Sequence, residues 1–136
     1  MHSFEISIKN NVKKIINTTH APAPIGPYSQ AVIIGNLMFA SGQIAINPLT
    51  AELATSSIQE ETHQVMKNIK GLLDEAGLNF SNIVKTSIFL KDMNDFAAVN
   101  EVYGSYFTAD YPARETVQVS RLPKDVNVEI SVIASV

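Results

Sequence analysis

The segment from Ser57 to Gly77 constrains the fold most, because its pattern predicts a long amphipathic helix. Ser57 and Glu60 fit a capping box, in which a hydroxyl and a carboxylate satisfy backbone amides that a helix leaves unpaired at its start. Gly77 stands where a left-handed residue can end the helix. Apolar residues recur at the spacing of one helical face: Ile58, Val65, Met66, Ile69, Leu72, Leu73 and Ala76. Such a helix needs a second layer against which to bury that face.

One further helix and six strands are predicted around this segment. The second helix begins within Asp92–Asp95 and continues with the apolar stripe Phe96, Val99, Val102, Tyr103 and Tyr106. The strands are predicted at Lys13–Asn17, Ser29–Ile34, Leu37–Ser41, Ile83–Leu90, Glu115–Val119 and Val126–Ala134. The proline-rich segment Thr18–Tyr28 excludes regular structure, and Gly35-Asn36 is typical of a two-residue hairpin turn. This order predicts an α+β fold, with a single sheet and both helices on one of its faces.

The last strand predicts which side of the sheet is covered. One parity is apolar throughout and should face the helices: Val126, Val128, Ile130, Val132 and Ala134. The other parity carries Asn127, Glu129, Ser131 and Ile133, and we expect Ile83 and Phe89 of a neighbouring strand to join it. This second face is too apolar to remain in water, and no third helix is available to cover it. Subunit association is the expected solution.

Composition limits the classes of function. The 136 residues include ten Lys and Arg against thirteen Asp and Glu, a net charge of −3, which argues against nucleic acid as a partner. The chain has no cysteine, and His2, His20 and His63 show no metal-ligand spacing, so we expect no metal. The sequence contains no glycine-rich phosphate-binding loop, so no cofactor is expected. The apolar runs are too short for a membrane helix and Met1–Asn11 does not resemble a signal peptide, so one cytoplasmic domain without a membrane partner is expected.

Two charged residues occupy informative positions. Arg114 lies in Tyr111–Arg114 (YPAR), directly before a predicted strand, and Glu129 interrupts an otherwise apolar strand. Taken singly, Arg114 is explained as a surface ion-pair partner and Glu129 as a charge that protects a strand edge. Together they suit a small anionic substrate, because a guanidinium binds a carboxylate with two parallel hydrogen bonds and a carboxylate can position water.

The sequence leaves the roles of two further residues open. Gly42, after Ser41, permits close approach of the backbone, so its amide could donate to a substrate oxygen or the glycine could serve only as a bend. Tyr28 follows Gly26-Pro27 on the proline-rich loop and could pack in the core or present its hydroxyl to a pocket.

From about Lys13 to Ala134, the sequence resembles the RidA/YjgF family, the reactive-intermediate (enamine/imine) deaminases. The motifs that carry the resemblance are Ala23–Gln30 (APIGPYSQ), Ser41–Ile44 (SGQI), Asn82–Asn100 (NIVKTSIFLKDMNDFAAVN), Tyr111–Arg114 (YPAR) and Arg121–Ala134 (RLPKDVNVEISVIA). Each motif alone is weak, but their order and spacing over nearly the whole chain are specific.

The resemblance implies a chorismate-mutase-like fold assembled as a homotrimer, with the three sheets forming a barrel and a ligand cleft at each subunit interface. It also implies hydrolysis of 2-imino acids, such as 2-iminobutanoate and 2-iminopropanoate, to 2-oxo acids and ammonia. Pyridoxal-phosphate-dependent dehydratases acting on threonine or serine release such intermediates as enamines.

The resemblance assigns roles residue by residue. Arg114 matches the arginine that binds the substrate carboxylate, and Glu129 matches the glutamate that holds the attacking water. The matching cleft residues are Tyr28, Ser41, Gly42 and Asn100. Many bacterial members have cysteine where this chain has Thr116, so a thiolate mechanism is impossible here. Thr116 is expected to line the pocket or donate a hydrogen bond to the substrate.

Two matters remain open in the sequence. Residues 1–11 lie outside the resemblance, so we expect an N-terminal extension followed by a deaminase domain at 12–136, with Val12 as a hypothetical alternative start. The alternative function is a non-catalytic module that senses a small carboxylic acid through the same Arg114. RNA cleavage, attached to some relatives, is disfavoured by the net charge of −3 and the lack of a basic, aromatic stripe.

Overall fold

The computed structural model describes residues 12–136, so the predicted extension at 1–11 lies outside the described residues. The strands are β1 Lys14–Ile16, β2 Ala31–Ile34, β3 Leu37–Ala40, β4 Ile83–Leu90, β5 Ala113–Gln118 and β6 Val128–Ser135. The helices are α1 Ile58–Glu75 and α2 Phe96–Gly104, and single 3₁₀ turns occur at Phe80–Asn82, Met93–Asp95 and Pro123–Asp125. The described residues contain no helix with the length and apolarity that a bilayer crossing requires.

All six strands form one mixed sheet in the order β1-β2-β3-β6-β4-β5. Every neighbouring pair is antiparallel except β4 and β5, which are parallel and joined through α2. The last strand, β6, therefore lies in the middle of the sheet, while β5 is an edge. The predicted single sheet with both helices on one face is confirmed.

Local sequence signals set the ends of α1. The Ser57 hydroxyl accepts a hydrogen bond from the Glu60 amide at 3.1 Å, as the capping box predicts. The Glu60 carboxylate is bonded by the Ser56 hydroxyl instead of the Ser57 amide, so only half of the predicted capping box forms. At the other end Gly77 has a φ of +73°, and the Leu78 amide donates to the Leu73 carbonyl at 2.8 Å. A left-handed glycine thus ends the helix where the sequence predicted.

The main core lies between the sheet and the two helices. Its fully buried members come from α1 (Val65, Met66, Ile69, Leu72, Leu73), α2 (Val99, Tyr103) and the central strands (Met38, Ile88, Leu90, Val128, Ile130, Val132, Ala134). Within α1, Gly71 allows the loop before β2 to approach, because a Cβ at this position would lie 2.3 Å from the His20 carbonyl oxygen. The loop is therefore packed directly on the helix.

Three sequence predictions need correction. Ile83 is 4% exposed and packs in the main core, because an irregularity between Ile83 and Lys85 changes the alternation of β4. Val126 precedes β6 and packs with Ile44 and Leu122 in a second, smaller cluster rather than on the helix-facing side. Strand β5 begins at Ala113, so Arg114 lies within the strand and pairs with Thr86 rather than preceding it.

The face of the sheet opposite the helices remains uncovered in the single chain. Ile15, Phe39 and Val117 are 43%, 39% and 41% exposed, and cross-strand pairing places the half-buried Ile133 on the same face. Lys85 and Glu115 form an ion pair of 3.0 Å nearby. The predicted role of this open face as a subunit interface stays a prediction.

Candidate functional site

Four of the predicted site residues line one pocket. Tyr28, Ser41, Gly42 and Glu129 surround a cavity of about 340 Å³. The remaining wall is mostly apolar and includes Pro22, Ala23, Ile25, Ile44, Ile46 and Pro123. A small apolar cavity with few polar groups is typical of a site for a small molecule.

Gly42 and Glu129 approach each other so closely that a side chain at position 42 would displace the Glu129 carboxyl. A Cβ on Gly42 would lie 2.8 Å from both Cδ and Oε2 of Glu129. Directly after each of them, Gln43 and Ile130 exchange backbone hydrogen bonds of 2.8 and 3.1 Å. The glycine therefore allows the backbone to lie against the carboxylate. This contact is a reason for glycine in the Ser41–Gln43 segment that follows the hairpin.

The environment of Glu129 favours its neutral form. Its side chain lies beside the apolar cavity, and burial raises the pKa of this carboxyl above the ordinary value. Among the described residues that line the pocket, the only other titratable group is the Tyr28 phenol. A carboxyl with a raised pKa can exchange a proton with a bound water or substrate near neutral pH more readily than an exposed one.

The hydroxyls of Ser41 and Tyr28 already have partners in the single chain. The Ser41 hydroxyl donates to the Ser29 carbonyl at 2.6 Å, and the Tyr28 hydroxyl accepts from the Ile25 amide at 3.3 Å. The Tyr28 bond lies within the proline-rich loop, and the Ser41 bond joins the residue after β3 to the residue after that loop. Ser41 thus supports the wall of the pocket, while the half-exposed Tyr28 ring forms part of its mouth.

Sequence reasoning missed Gln30, which holds the loop that carries Tyr28. The Gln30 side chain is 2% exposed; its amide nitrogen donates to the carbonyls of Thr18, Ala21 and Pro22, and its oxygen accepts from the Thr18 amide. A loop with several prolines lacks many backbone donors, so a side chain supplies the bonds. The glutamine at the end of APIGPYSQ was the available signal.

Arg114 and Asn100 lie together in a second cleft. Arg114 Nη1 donates to Asn100 Oδ1 at 2.5 Å, and Tyr111 and Pro112 form the rim. The guanidinium carbon lies 5.6 Å from the centre of the Phe96 ring and 5.3 Å from that of Tyr103. Two aromatic rings and an amide thus orient the guanidinium without neutralising it, as a carboxylate-binding group requires.

Tyr103 connects this cleft to the core. Its hydroxyl donates to Thr86 Oγ1 at 2.9 Å, and its side chain is 4% exposed. Burial raises the pKa of the phenol, while the Thr86 hydrogen bond and the Arg114 charge act in the opposite direction. Tyr103 is therefore a neutral, fixed surface against which Arg114 rests.

Thr116 has a buried hydroxyl without a partner. It lies two residues beyond Arg114 on the same face of β5, and its Oγ1 has no hydrogen bond in the described chain. An unbonded buried hydroxyl costs free energy, on the order of 1–3 kcal/mol, until it finds a partner. Thr116 therefore has an unused hydrogen bond, although its oxygen is buried and lies outside the lining of the Arg114 cleft.

One chain does not bring Arg114 and Glu129 together. In the sheet Arg114 pairs with Thr86, and Glu129 pairs with Phe89. Thr86 and Phe89 are three positions apart on β4, so their side chains leave on opposite faces. Arg114 accordingly lies on the helix side and Glu129 on the open side. The site residues form two groups, Tyr28, Ser41, Gly42 and Glu129 in one and Asn100 and Arg114 in the other, while Thr116 lines neither cavity in the single chain.

The histidines of the described region do not form a metal site. No group of three or more His, Asp or Glu within residues 12–136 is arranged to hold a metal ion. His63 Nδ1 lies 2.8 Å from the Tyr106 hydroxyl, at the start of an aromatic cluster with Phe80 and Phe107. His63 therefore has a structural contact outside both clefts.

Three features define the class of this protein. They are a six-stranded sheet with two helices on one face, a glycine packed against a glutamate, and an arginine held by aromatic rings. The family model described as Endoribonuclease L-PSP matches residues 18–136. The chain belongs to this family, whose members also carry the names Rid, YjgF and RutC.

Individual relatives extend over almost the whole chain. A RutC family protein of Pyrococcus horikoshii is 52% identical over 90% of this chain and 98% of its own. A mouse protein named 2-iminobutanoate/2-iminopropanoate deaminase is 46% identical over 90% of this chain and 91% of its own.

Solved structures confirm the fold. A Rid family protein of Yersinia pestis has 48% identity and a TM-score of 0.90, covering 92% of this chain and 100% of its own. Escherichia coli TdcF with bound serine has 45% identity and a TM-score of 0.87, covering 90% of this chain and 98% of its own.

Proposed function

We propose that this protein hydrolyses reactive 2-imino acids, such as 2-iminobutanoate and 2-iminopropanoate, to 2-oxo acids and ammonia. The observation that carries the proposal is a pair of functional groups. The Arg114 guanidinium is oriented by aromatic rings without being neutralised, and the Glu129 carboxyl is half-buried. The deaminase name of the mouse relative and the serine bound to TdcF support a small amino-acid-like substrate.

In this mechanism Arg114 binds the substrate carboxylate and Glu129 holds the water. Glu129 accepts a proton as the water oxygen bonds to C2 of the protonated imine, and the C=N double bond becomes a single bond. The proton then passes to the nitrogen of the resulting carbinolamine. As the C–N bond breaks, the C2 hydroxyl gives its proton to the ionised Glu129, and ammonia leaves with a 2-oxo acid; Glu129 then releases that proton to the solvent. A protonated imine is already electrophilic, so orientation and a placed nucleophile supply most of the assistance.

Gly42 and Thr116 have supporting roles in the proposal. In the proposal the Gly42 amide donates to a substrate oxygen, which the close approach of the Gly42 backbone to the Glu129 side chain supports. The unbonded Thr116 hydroxyl would contact the substrate near Arg114 and Asn100, while Tyr28 and Ser41 bound the opposite wall. Neither a cofactor nor a metal takes part.

The proposal requires two copies of the chain for each site, because Arg114 and Glu129 lie on opposite faces of one sheet. We propose a homotrimer in which the open faces meet, and one protomer's Arg114 cleft adjoins its neighbour's Glu129 pocket. The exposed Phe39, Ile15 and Val117 support burial of this face. Assembly in the cytoplasm, with no nucleic acid or membrane partner, completes the proposal.

A coupled assay tests the function. A threonine dehydratase generates 2-iminobutanoate, and semicarbazide competes for it, so an active deaminase lowers the yield of trapped imine. We expect Arg114→Ala to abolish this effect while the oligomer stays intact by light scattering. Undiminished activity of Arg114→Ala would remove the arginine from the mechanism. Glu129→Gln should slow turnover more than it weakens binding of the unreactive 2-oxobutanoate, whereas equal losses would indicate binding alone.

The alternative is a carboxylate-sensing module without catalysis, which a relative from Lactococcus lactis named putative regulator AldR favours. The same Arg114 cleft would serve it. A protein that binds 2-oxobutanoate through Arg114 but leaves the trapped imine unchanged at high concentration would support this function over hydrolysis.

A further inference from the structure

Helix α1 carries three fully buried polar residues, and two of them bond to backbone segments that lead into the proposed catalytic pocket. Glu61 and Asn68 are both 0% exposed, and they are seven positions apart, which places them on the same side of the helix. We infer that Glu61 and Asn68 are positioning residues, which fix the two backbone segments that carry Glu129 and Gly42. The inference rests on the proposed function and adds two residues to its machinery.

Glu61 holds the start of β6. Its Oε2 accepts from the backbone amides of Asn127 at 2.7 Å and Val128 at 3.1 Å, and its Oε1 accepts from Asn127 Nδ2 at 2.7 Å. No cation pairs with Glu61 among the salt bridges of residues 12–136. Hydrogen bonds to an ionised carboxylate are strong, and the next residue along the strand is Glu129.

Asn68 holds the opposite wall. Its Nδ2 donates to the carbonyls of Ile44 at 3.1 Å and Ile46 at 2.9 Å. Its Oδ1 accepts from Gln64 Nε2 at 2.9 Å, which fixes the orientation of the amide. Beyond the bridge between Gln43 and Ile130, the segment after Gly42 belongs to no named strand, so these bonds add a tie from the helix.

The hydrogen bonds of Glu61 and Asn68 matter because Gly42 and Glu129 are closely packed against each other. The backbone at Gly42 lies so close to the Glu129 carboxyl that a single methyl group would not fit between them. A shift of either segment therefore changes where Glu129 holds a water. A small displacement of a catalytic group lowers the rate of turnover. Substrate binding is affected less, because it depends on Arg114 on the other face.

Glu61→Leu is the informative variant, because leucine fills a similar volume but leaves the amides of Asn127 and Val128 unbonded. We expect kcat for 2-iminobutanoate to fall about tenfold or more, with KM within about twofold. Glu61→Gln should restore most of kcat, since one carbonyl oxygen can accept both backbone amides and the Asn127 amide can reverse. The matched control is Thr62→Val on the same helix, whose hydroxyl bonds only the Ile58 carbonyl.

A second readout does not depend on turnover. In solution NMR, the Gly42 amide and the Glu129 side-chain carboxyl should change chemical shift in Glu61→Leu and in Asn68→Leu, but not in Thr62→Val. Unchanged signals and unchanged kcat in a folded Glu61→Leu would overturn the inference. If Glu61→Leu fails to fold, Glu61→Asp, with its carboxylate retracted by one methylene, replaces it. A wild-type protein without imine hydrolysis would defeat the proposed function, while the NMR comparison would still decide the positioning.

Discussion

The Glu129 pocket and the Arg114 cleft are built in different ways. The pocket lies beside β6, the third strand from one edge and flanked on both sides, where backbone bonds and buried amides fix each wall. The cleft lies on the edge strand β5, where side chains alone hold the functional group: Phe96, Asn100 and Tyr103 around Arg114. Main-chain hydrogen bonds fix the walls of the Glu129 pocket, whereas side-chain contacts orient the guanidinium in the Arg114 cleft.

This difference suits the two chemical tasks. A water nucleophile must be placed within a fraction of an ångström, which a central strand and a packed helix can provide. A carboxylate can be captured by a long, charged side chain that adjusts its position, and an edge strand leaves such a side chain accessible to a neighbouring molecule. The contrast predicts that substitutions near Glu129 reduce kcat, whereas substitutions near Arg114 raise KM.

The largest expected effect tests whether the two regions act across a subunit boundary. Arg114→Ala should be inactive alone and Glu129→Gln should keep only a small residual activity, but co-refolded in equal amounts they should recover about one quarter of wild-type activity. Half of the protomers then supply an intact arginine and half an intact glutamate. The trapped-imine assay measures the recovery. A mixture as inactive as its components would place both residues' functions within one chain.

The next effect concerns the Glu129 pocket. Gly42→Ala should lower kcat about 100-fold, because the new methyl group displaces the Glu129 carboxyl from its place. The matched control for kcat is Gly104→Ala, at a residue that lines the Arg114 cleft but where a Cβ meets no atom within 4 Å. Steady-state kinetics on both variants makes the comparison, and equal activity would show that the close approach has no catalytic role.

A smaller effect is expected in the Arg114 cleft. Phe96→Leu removes one ring from Arg114, and we expect KM to rise about two- to fivefold with kcat nearly unchanged, because one cation–π contact is lost. Phe80→Leu removes a ring from the aromatic cluster without touching Arg114. A rise in KM in both variants would point to general loosening instead of stacking.

The smallest effect is a displacement of the pH profile. Burial raises the pKa of Glu129, so the carboxyl stays protonated to a higher pH than an exposed glutamate would. If the ionised form accepts the proton of the water, kcat should increase with pH through this raised pKa and level off above it. The acidic limb should vanish in Glu129→Gln. A limb centred in the ordinary carboxyl range would assign it to another group.

The sequence predicted the parts of the fold that local chemistry determines. The Ser57 cap, the left-handed Gly77 and the alternation from Val128 to Ala134 each depend on a few neighbouring residues. The reversed side of Ile83 could not be predicted, because it results from pairing with β6. The start of β5 ahead of Arg114 likewise depends on its parallel neighbour β4.

The site shows the same division. Positions along the chain and the family resemblance together indicate Arg114, Glu129 and Gly42, although nothing in their spacing shows that two of them lie on opposite faces of the sheet. The roles of Gln30, Glu61 and Asn68 were missed, because a polar residue on an amphipathic helix or loop is ordinarily solvated. Only tertiary packing reveals that these three are buried and hold backbone groups far away in sequence.

The contact between Gly71 and the His20 carbonyl has a consequence for engineering. Replacing glycine by alanine inside a helix usually raises stability by about 0.5–1 kcal/mol, through helix propensity. At position 71 the added methyl group would meet a backbone oxygen 2.3 Å away, so the common thermostabilising exchange would separate helix from loop. A consensus or directed-evolution library of this chain should therefore leave that codon untouched, even though it lies outside both clefts.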